Sequence, residues 1–326
     1  MKAKYWIKSL SNYNINGQSI SGSPLKTPFY ILKRILTKEK PKVYVFRYLN
    51  DYNNIVKTIL RFSSEFLTIL ICRVFHIRIW WILHNIDKET HQYYPKITNL
   101  RRKFLSQNAQ LIFTTDKLLM EYAKQLFPKN KVASISLGYS DENIYTLKDC
   151  DSINEKIKEW LESIDKSKSK IIFCIGTKTA KSIHFNRINN FIIDINECDK
   201  TNQWYALVVG SKVKEHPNIF NLSNNYNITA NLVKEYCDFY YKVMDDYSMY
   251  YTVYEACHFK IPILTEDFGI LPQVLKHYNI GEVCDDIGMN KIVMNKNKKN
   301  YQFTEFLEKN NWNVAAKTFS EYYNNL

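Results

Sequence analysis

Three polar side chains in the first half of the chain could transfer protons, and each follows a predicted β-strand. His84 and Asp87 come after one strand, and Asp116 comes after the next. Imidazole and carboxylate groups are the side chains that most often act as general acids and bases. In an open parallel sheet, ligands bind beyond the carboxyl ends of the strands, so residues at these positions are the first candidates for chemistry.

A second set of candidates suits an anionic ligand and lies in the second half of the chain. Its members follow predicted strands: Gly176, Thr177, Lys178, Lys181, Gly210, Thr252 and Glu255. Lys178 and Lys181 come soon after the glycine that ends a strand, where ammonium groups can bind phosphate oxygens. The loop Ser248–Thr252 leads into a predicted helix, whose first backbone N–H groups can point at an anion. The alternative for both lysines is an ordinary solvated position.

Strands and helices alternate along the first half. Runs of β-branched and aromatic residues predict strands over Lys4–Leu10, Lys42–Leu49, Arg78–His84, Gln110–Thr115 and Lys131–Leu137. Segments with helical character lie between them, near Tyr52–Phe75, Ile97–Ser106 and Lys117–Phe127. This alternation is typical of a parallel sheet with helices on its faces.

The same alternation starts again after the polar stretch Leu147–Asn154, where we place a linker. Strands are predicted over Lys170–Gly176, Trp204–Gly210, Asp238–Val243, Ile261–Thr265 and Gly281–Cys284. The predicted fold class is therefore α/β, with two Rossmann-like, doubly wound domains. The predicted domains are residues 1–147, residues 148–302 and a closing helical segment, 303–326, that packs across the domain junction.

The positive charge of the chain is confined to its first half. Residues 1–150 contain 24 Lys and Arg against 10 Asp and Glu, whereas residues 151–326 contain 21 against 22. This asymmetry predicts that the first domain faces an anionic partner, either an anionic membrane surface or nucleic acid. The alternative is a solvated lysine-rich surface. Aromatic and basic segments at Phe29–Lys38 and Lys57–Trp81 suit a membrane interface.

Cysteine usage and hydropathy bear on the compartment. The 7 Cys form no C-x-x-C pair, which argues against a structural zinc site or a disulfide framework and favours a reducing cytoplasm. Residues 1–8 lack the apolar stretch of a signal peptide. The most apolar segment, Phe66–His84, is interrupted by charged residues and is not expected to span a bilayer. P-loop, dinucleotide-binding and zinc-protease signatures are missing, which disfavours those enzyme classes.

The order of motifs in the second half resembles a known family. Glu255-Ala256 lies on a predicted helix, the proline-containing Lys260–Leu264 is the next predicted strand, and Asp267-Phe268-Gly269 and Gly281 follow. This order resembles the C-terminal domain of GT-B glycosyltransferases, which transfer sugars from nucleotide donors in bacterial surface-polysaccharide assembly. The resemblance implies the GT-B architecture, in which two doubly wound domains face a cleft.

Two motifs in the first half extend this resemblance over nearly the whole chain. Leu83-His84-Asn85 looks like the strand-terminal histidine of the family. Leu137-Gly138-Tyr139-Ser140 occupies the place where the family's chain enters the linker between the domains.

The resemblance implies how a nucleotide-sugar donor would be bound. Glu255 would accept hydrogen bonds from the two ribose hydroxyls, and Lys178 and Lys181 would bind the diphosphate as it accumulates charge. The rest of the expected donor site is Gly176, Thr177, Gly210 and Thr252. No metal and no cofactor are expected, because helix dipoles and lysines can bind the diphosphate. The alternative for Glu255 is an ordinary surface glutamate.

The mechanism class stays open at this level. Many retaining members carry a second glutamate eight positions before the first, where this chain has Tyr247. A retaining enzyme would use His84 to stabilise charge on the donor sugar. An inverting enzyme would need a base, for which Asp87 or Asp116 are the candidates. All three are as well explained as satisfied structural residues.

The sequence therefore predicts a glycosyltransferase that moves a sugar from a nucleotide diphosphate sugar to a glycolipid or oligosaccharide acceptor. We expect it at the cytoplasmic face of the membrane, attached peripherally to the anionic surface and independent of nucleic acid. Two alternatives are a nucleic-acid-binding protein that uses the basic half, and a sugar-nucleotide epimerase of the same architecture.

Overall fold

Parallel β-strands joined by helices make up both halves of the chain, which confirms the predicted α/β fold class. The computed structural model describes residues 2–20, 23–89, 91–136, 138, 151–175, 184–210, 212–222, 230–284 and 300–326. In chain order, the elements are α1 (Lys2–Ser11), α2 (Thr27–Leu36), β1 (Val43–Phe46), α3 (Ile55–Val74), β2 (Arg78–Leu83), α4 (Pro95–Asn108), β3 (Leu111–Thr114), α5 (Lys117–Leu126), β4 (Val132–Ser134), α6 (Asp151–Glu162), β5 (Ser169–Ile175), α7 (His184–Cys198), β6 (Gln203–Val209), β7 (Ile219–Leu222), α8 (Ala230–Tyr236), β8 (Phe239–Tyr241), α9 (Tyr251–Phe259), β9 (Ile263–Thr265), α10 (Leu271–Tyr278), β10 (Gly281–Val283), α11 (Phe303–Lys309) and α12 (Trp312–Asn324).

The chain divides into two compact units. The first consists of residues 1–138, 247–249 and 310–326, and the second of residues 139–246 and 250–309. The predicted boundary between residues 147 and 148 lies outside the described residues. Of the closing helices, α11 belongs to the second unit and α12 to the first. Their packing across the domain junction stays a prediction.

The sheet of the first unit is parallel, in the order β1-β2-β3-β4. Alternate residues of a strand point to opposite faces, so Trp80 and Ile82 share one face of β2. They belong to a core cluster with Trp6 of α1 and Phe319 of α12. On the other face, the ring of Trp81 lies 5.5 Å from the guanidinium of Arg102 on α4. Helices therefore cover both faces of this sheet.

The strand predicted over Lys4–Leu10 is wrong, because this segment is helix α1. Its aromatic and β-branched residues suggest a strand, but Trp6 and Leu10 are four residues apart and both are buried, as on one side of a helix. The ring of Trp6 packs at 5.1 Å, edge to face, against Phe319 of α12. A partner about 310 residues away in sequence thus decides the conformation.

The second sheet is also parallel, in the order β10-β9-β8-β5-β6-β7. The chain moves outward from β5 to β7, returns to β8 beside β5, and then moves outward in the other direction. This reversal defines a doubly wound sheet. The edge strand β7 is absent from the sequence-based prediction, since its residues are only partly buried. Within the described part of the chain, no helix has the length and apolar character needed to cross a bilayer.

Candidate functional site

The reversal of strand order in the second unit marks where a ligand is expected. At the carboxyl ends of β5 and β8 the connections run in opposite directions and leave a crevice, the usual binding position in doubly wound sheets. The segment that follows β5 carries the predicted residues Gly176, Thr177, Lys178 and Lys181. All four lie outside the described residues, so their roles stay predictions.

Glu255 lies on α9, the helix that follows β8, and it is buried, with 5% of its surface exposed. The hydroxyl of Tyr240 on β8 donates a hydrogen bond to its Oε1 atom at 2.8 Å. The carboxylate is therefore held against the sheet near the crevice and is not an ordinary surface glutamate. Thr252 is half-buried in the first turn of the same helix. Tyr250 precedes this helix, whose start has no side-chain cap.

Lys242 is a buried residue of this site that the sequence analysis misses. It follows β8 directly, and its backbone N–H still pairs with the Leu264 carbonyl at 3.0 Å. The side chain is 2% exposed, and no hydrogen-bond partner of its Nζ atom is found in the described part of the chain. Burial lowers the pKa of Lys242 to about 8, against the opposing effects of Cys174, Glu255 and Asp246. The sequence contains one signal for this residue, a lysine within the otherwise largely apolar predicted strand Asp238–Val243.

The turn after β9 approaches the chain beyond β8 closely. Gly269 has φ 60°, and a Cβ at this position would lie 2.6 Å from the carbonyl oxygens of Met244 and Asp246. Only glycine fits both conditions. Gly210, which the sequence analysis assigns to the donor site, also has positive φ, and its N–H donates to the Leu222 carbonyl at 3.0 Å. Gly210 thus joins β6 to the edge strand β7.

Glu266, directly after β9, is a second carboxylate that the sequence analysis does not single out. It accepts hydrogen bonds from the hydroxyl of Tyr241 and the guanidinium of Arg187. Burial, and then the Glu266 carboxylate, raise the pKa of Tyr241. Arg187 also covers the ring of Phe268 at 4.7 Å. This network fixes the start of the Gly269 turn.

His84 lies at the carboxyl end of β2 in the first unit, as predicted, and it is buried. Its ring stacks on Tyr48 with centroids 4.1 Å apart and planes 11° apart. The Nε atom of Arg47 donates to its Nε2 atom at 3.4 Å. Burial raises the pKa of Tyr48, and the adjacent Arg47 opposes that effect. The arrangement orients the imidazole from two sides.

The loop after β2 is held by a buried arginine. Arg102 donates to the carbonyls of Asn85, at 3.1 Å, and Ile86, at 2.5 Å, and forms a salt bridge with Glu89 at 2.8 Å. The exposed Asp87 accepts the backbone N–H of Tyr247 at 3.2 Å. Asp87 therefore contributes to holding residues 247–249 in the first unit, which is a structural role. Its role as a base stays a prediction.

Asp116 is the N-cap of α5. Its Oδ1 atom accepts the backbone N–H of Leu118 at 2.7 Å, and the residue is 2% exposed. Aspartate directly before a helical segment is a recognisable capping signal, so this role could have been read from the sequence. Capping accounts for the burial of Asp116, and its predicted acid–base role stays a prediction.

Within the described ranges, no group of three or more His, Cys, Asp or Glu side chains is arranged to hold a metal ion. The independence from metal and cofactor that the sequence analysis expects stays a prediction.

Of the comparisons with known proteins, only the one with solved structures finds a match, and it identifies the fold of this chain. No protein-family model matches the sequence. A search of curated proteins by sequence also finds no match. HepE from Anabaena, in complex with UDP, is 13% identical and aligns over 91% of this chain and 82% of its own, with a TM-score of 0.59.

Two further solved structures agree. Sucrose-phosphate synthase from Thermosynechococcus elongatus is 12% identical and aligns over 93% of this chain and 78% of its own, with a TM-score of 0.58. An α,α-trehalose-phosphate synthase (UDP-forming) from Burkholderia vietnamiensis is 10% identical and aligns over 98% and 83%, with a TM-score of 0.61. The two parallel-sheet α/β domains of this chain have the GT-B fold.

Proposed function

We propose that this protein is a glycosyltransferase that moves a sugar from a nucleotide diphosphate sugar to a lipid-linked or polysaccharide acceptor. The observation that carries the proposal is the buried carboxylate of Glu255, held by Tyr240 beside the strand-order reversal of a GT-B chain. A carboxylate there can accept both hydroxyls of a ribose. HepE is in complex with UDP and the trehalose-phosphate synthase is named as UDP-forming, so UDP-sugars are the first donors to test.

In this proposal the second unit binds the donor. Lys178 and Lys181 bind the diphosphate, and the backbone N–H groups in the first turn of α9, near Thr252, add their partial positive charge. His84 stabilises the charge that develops on the donor sugar as the nucleotide diphosphate leaves. The imidazole is oriented by Arg47 and Tyr48, which supports this role, because a fixed dipole needs no reorganisation during reaction.

The first unit has a surface that suits a lipid acceptor at the cytoplasmic membrane face, as in assembly of a surface polysaccharide or lipopolysaccharide. The buried side of helix α3 is mixed, with the polar Thr58, Ser64 and Thr68 beside the apolar Ile69, Ile71 and Cys72. Its exposed α3 face is apolar and consists of Val56, Ile59, Leu60, Phe66, Leu67, Leu70 and Val74. The one lysine of α2, Lys33, and the one lysine of α3, Lys57, are both exposed. An apolar face together with exposed lysines supports peripheral attachment to anionic lipid.

The experiment is a calorimetric titration with UDP, followed by product analysis with a panel of UDP-sugars and lipid extracts. Glu255→Gln should weaken UDP binding roughly ten- to a hundred-fold, since a charged hydrogen bond contributes about 1.5–3 kcal/mol. Glu282→Gln is the matched control, because Glu282 also accepts from a tyrosine hydroxyl, Tyr301 at 3.0 Å, but on the edge strand β10.

The outcomes separate the alternatives. An altered sugar on the nucleotide, with no transfer to acceptor, would favour the sugar-nucleotide epimerase. Tight duplex binding with a steep salt dependence, and no nucleotide-sugar binding, would favour the nucleic-acid-binding protein. Equal UDP affinity of wild type and a folded Glu255→Gln variant would contradict the role of Glu255.

A further inference from the structure

Lys242 shares a face of the second sheet with Tyr240. Residues two apart on an extended chain point the same way, so both side chains lie on the face that α9 covers with Glu255. Tyr241 and Val243 point to the opposite face, where they belong to the core cluster with Ile192 of α7. A lysine, a tyrosine and a glutamate thus share one buried face at the carboxyl end of β8.

The ammonium group of Lys242 has hydrogen-bonding capacity that the described residues do not use. A lysine carries three N–H donors, and buried donors are almost always paired. Here Nζ is buried and has no hydrogen-bond partner among the residues that the structure describes. Leaving these donors unpaired is costly, which points to an acceptor supplied from outside the protein.

The surrounding charges indicate the chemistry of that acceptor. Two carboxylates, Glu255 and Asp246, and the thiol of Cys174 lie within electrostatic range of Lys242. Two carboxylates beside one ammonium repel a bare phosphate. A hydroxyl group suits the pair better, because it is neutral and donates one hydrogen bond while it accepts others.

We propose that Lys242 is a ligand-binding residue. Its ammonium group donates a hydrogen bond to the oxygen of a ribose hydroxyl, and the same hydroxyl donates a hydrogen bond to Glu255. The inference rests on the proposed nucleotide binding and adds a second, cationic contact to the sugar of the nucleotide. Glu255 and Lys242 then recognise the same hydroxyl from its two sides, and the site distinguishes ribose from deoxyribose. A nucleotide that lacks the hydroxyl can make neither contact.

The test is the ratio of affinities for ribose and deoxyribose nucleotides, measured by titration calorimetry with UDP, 2′-deoxy-UDP and 3′-deoxy-UDP. The wild type should prefer UDP over one of the deoxy analogues by roughly ten- to a hundred-fold. Lys242→Met should lower UDP affinity about ten-fold and leave that analogue nearly unchanged, so that the ratio falls toward unity. Adding Glu255→Gln to Lys242→Met should change the ratio little further, since both groups bind one hydroxyl.

Lys170→Met is the matched control. Lys170 is the second residue of β5, a central strand of the same sheet, and lies at its amino end, where it pairs with Asp238 at 3.2 Å. Its replacement should leave the ratio unchanged. Melting curves establish that each variant is folded, and Lys242→Gln carries the same test if Lys242→Met does not fold.

Three results would overturn the proposal. An unchanged ratio in a folded Lys242 variant removes Lys242 from the ribose site and leaves the proposed function standing. An equal loss for UDP and both analogues means that Lys242 acts on another part of the nucleotide or on the fold. Absence of binding of both UDP and ADP to the wild type overturns this inference together with nucleotide binding itself.

Discussion

Lys242 makes the unliganded protein less stable than its core would otherwise be. Burial holds the pKa of this residue at about 8, below the ordinary value of 10.5. The shift corresponds to roughly 3 kcal/mol of unfavourable free energy for the charged side chain at neutral pH. A group that stabilises a ligand complex and destabilises the free protein is typical of a binding site.

Lys242→Met should therefore raise the free energy of unfolding at pH 7 by up to about 3 kcal/mol. Between about pH 8 and 10.5 the unfolded wild type binds more protons at Lys242 than the folded protein, so this residue makes wild-type stability rise with pH. The variant should lack that rise. Urea denaturation of both proteins at neutral and alkaline pH measures it, with Lys170→Met as control. A less stable variant with the wild-type pH slope would contradict the prediction.

Asp116 offers a way to separate a structural role from a catalytic one. Asp116→Ala should lower the free energy of unfolding by about 1 kcal/mol, because the first N–H groups of α5 lose their cap. Asp116→Asn should retain the stability, since asparagine caps helices equally well but cannot act as a base. Denaturation and turnover measurements on both variants distinguish the roles. Loss of turnover in the folded Asn variant would establish the predicted acid–base role.

At the scale of elements, helices α1 and α12 close one face of the first sheet, and Gly138 shows how tightly α12 is seated. Gly138 has φ 67°, and a Cβ there would lie 2.2 Å from a ring atom of Trp312, the first residue of α12. A side chain would have to displace this buried ring or the backbone beneath it. The contact fixes where α12 begins.

Gly138→Ala should cost at least about 2 kcal/mol of stability, because alanine disfavours this conformation and its methyl group collides with Trp312. Gly17→Ala is the control, since a Cβ there would be 3.4 Å or more from its neighbours. That substitution should change the free energy of unfolding by less than about 1 kcal/mol. Thermal denaturation compares the two. Equal losses would mean that the close approach to Trp312 does not determine the effect.

Helix α3 exposes a row of large apolar side chains in addition to those that it buries, which a helix that serves only the core would not do. Replacing Leu67 with Asp should weaken binding to anionic vesicles and leave the melting temperature nearly unchanged, because the side chain is already 40% exposed. Ile193→Asp is the matched control, since Ile193 is 41% exposed on α7 of the second unit. Vesicle co-sedimentation of the full chain measures the effect. Unchanged binding by Leu67→Asp would exclude the exposed α3 face from the contact.

At the scale of the whole molecule, the charge asymmetry predicts how attachment depends on salt. Residues 1–150 hold the whole positive excess of a chain whose net charge is +13. Exposed charges are screened over about 10 Å at about 0.1 M salt, whereas burial of apolar side chains in lipid is not. Binding to anionic vesicles should weaken strongly with salt but keep a residual component from the exposed α3 face. Co-sedimentation across a salt series tests this, and salt-independent binding would contradict it.

The sequence by itself determined the features that local patterns encode. Runs of β-branched residues located β2, β5 and β6 within one or two residues, and α5 was located from its periodicity. The order of motifs around Glu255 indicated the GT-B fold, which the comparison with solved structures supports. Such patterns predict structure because the hydrophobic periodicity of a buried strand or an amphipathic helix depends only on residues that are close in sequence.

Only the tertiary structure decided the features that depend on distant partners. The segment over Lys4–Leu10 is a helix because Phe319 packs against it, and periodicity over so few residues is ambiguous. The burial of Glu255 and Lys242 follows from the order in which strands associate, and that order is set by long-range packing. From the sequence alone, an isolated lysine within an apolar run is predicted to have an exposed side chain. Only the sheet around it shows that its charge is buried and that its Nζ atom has no hydrogen-bond partner among the described residues.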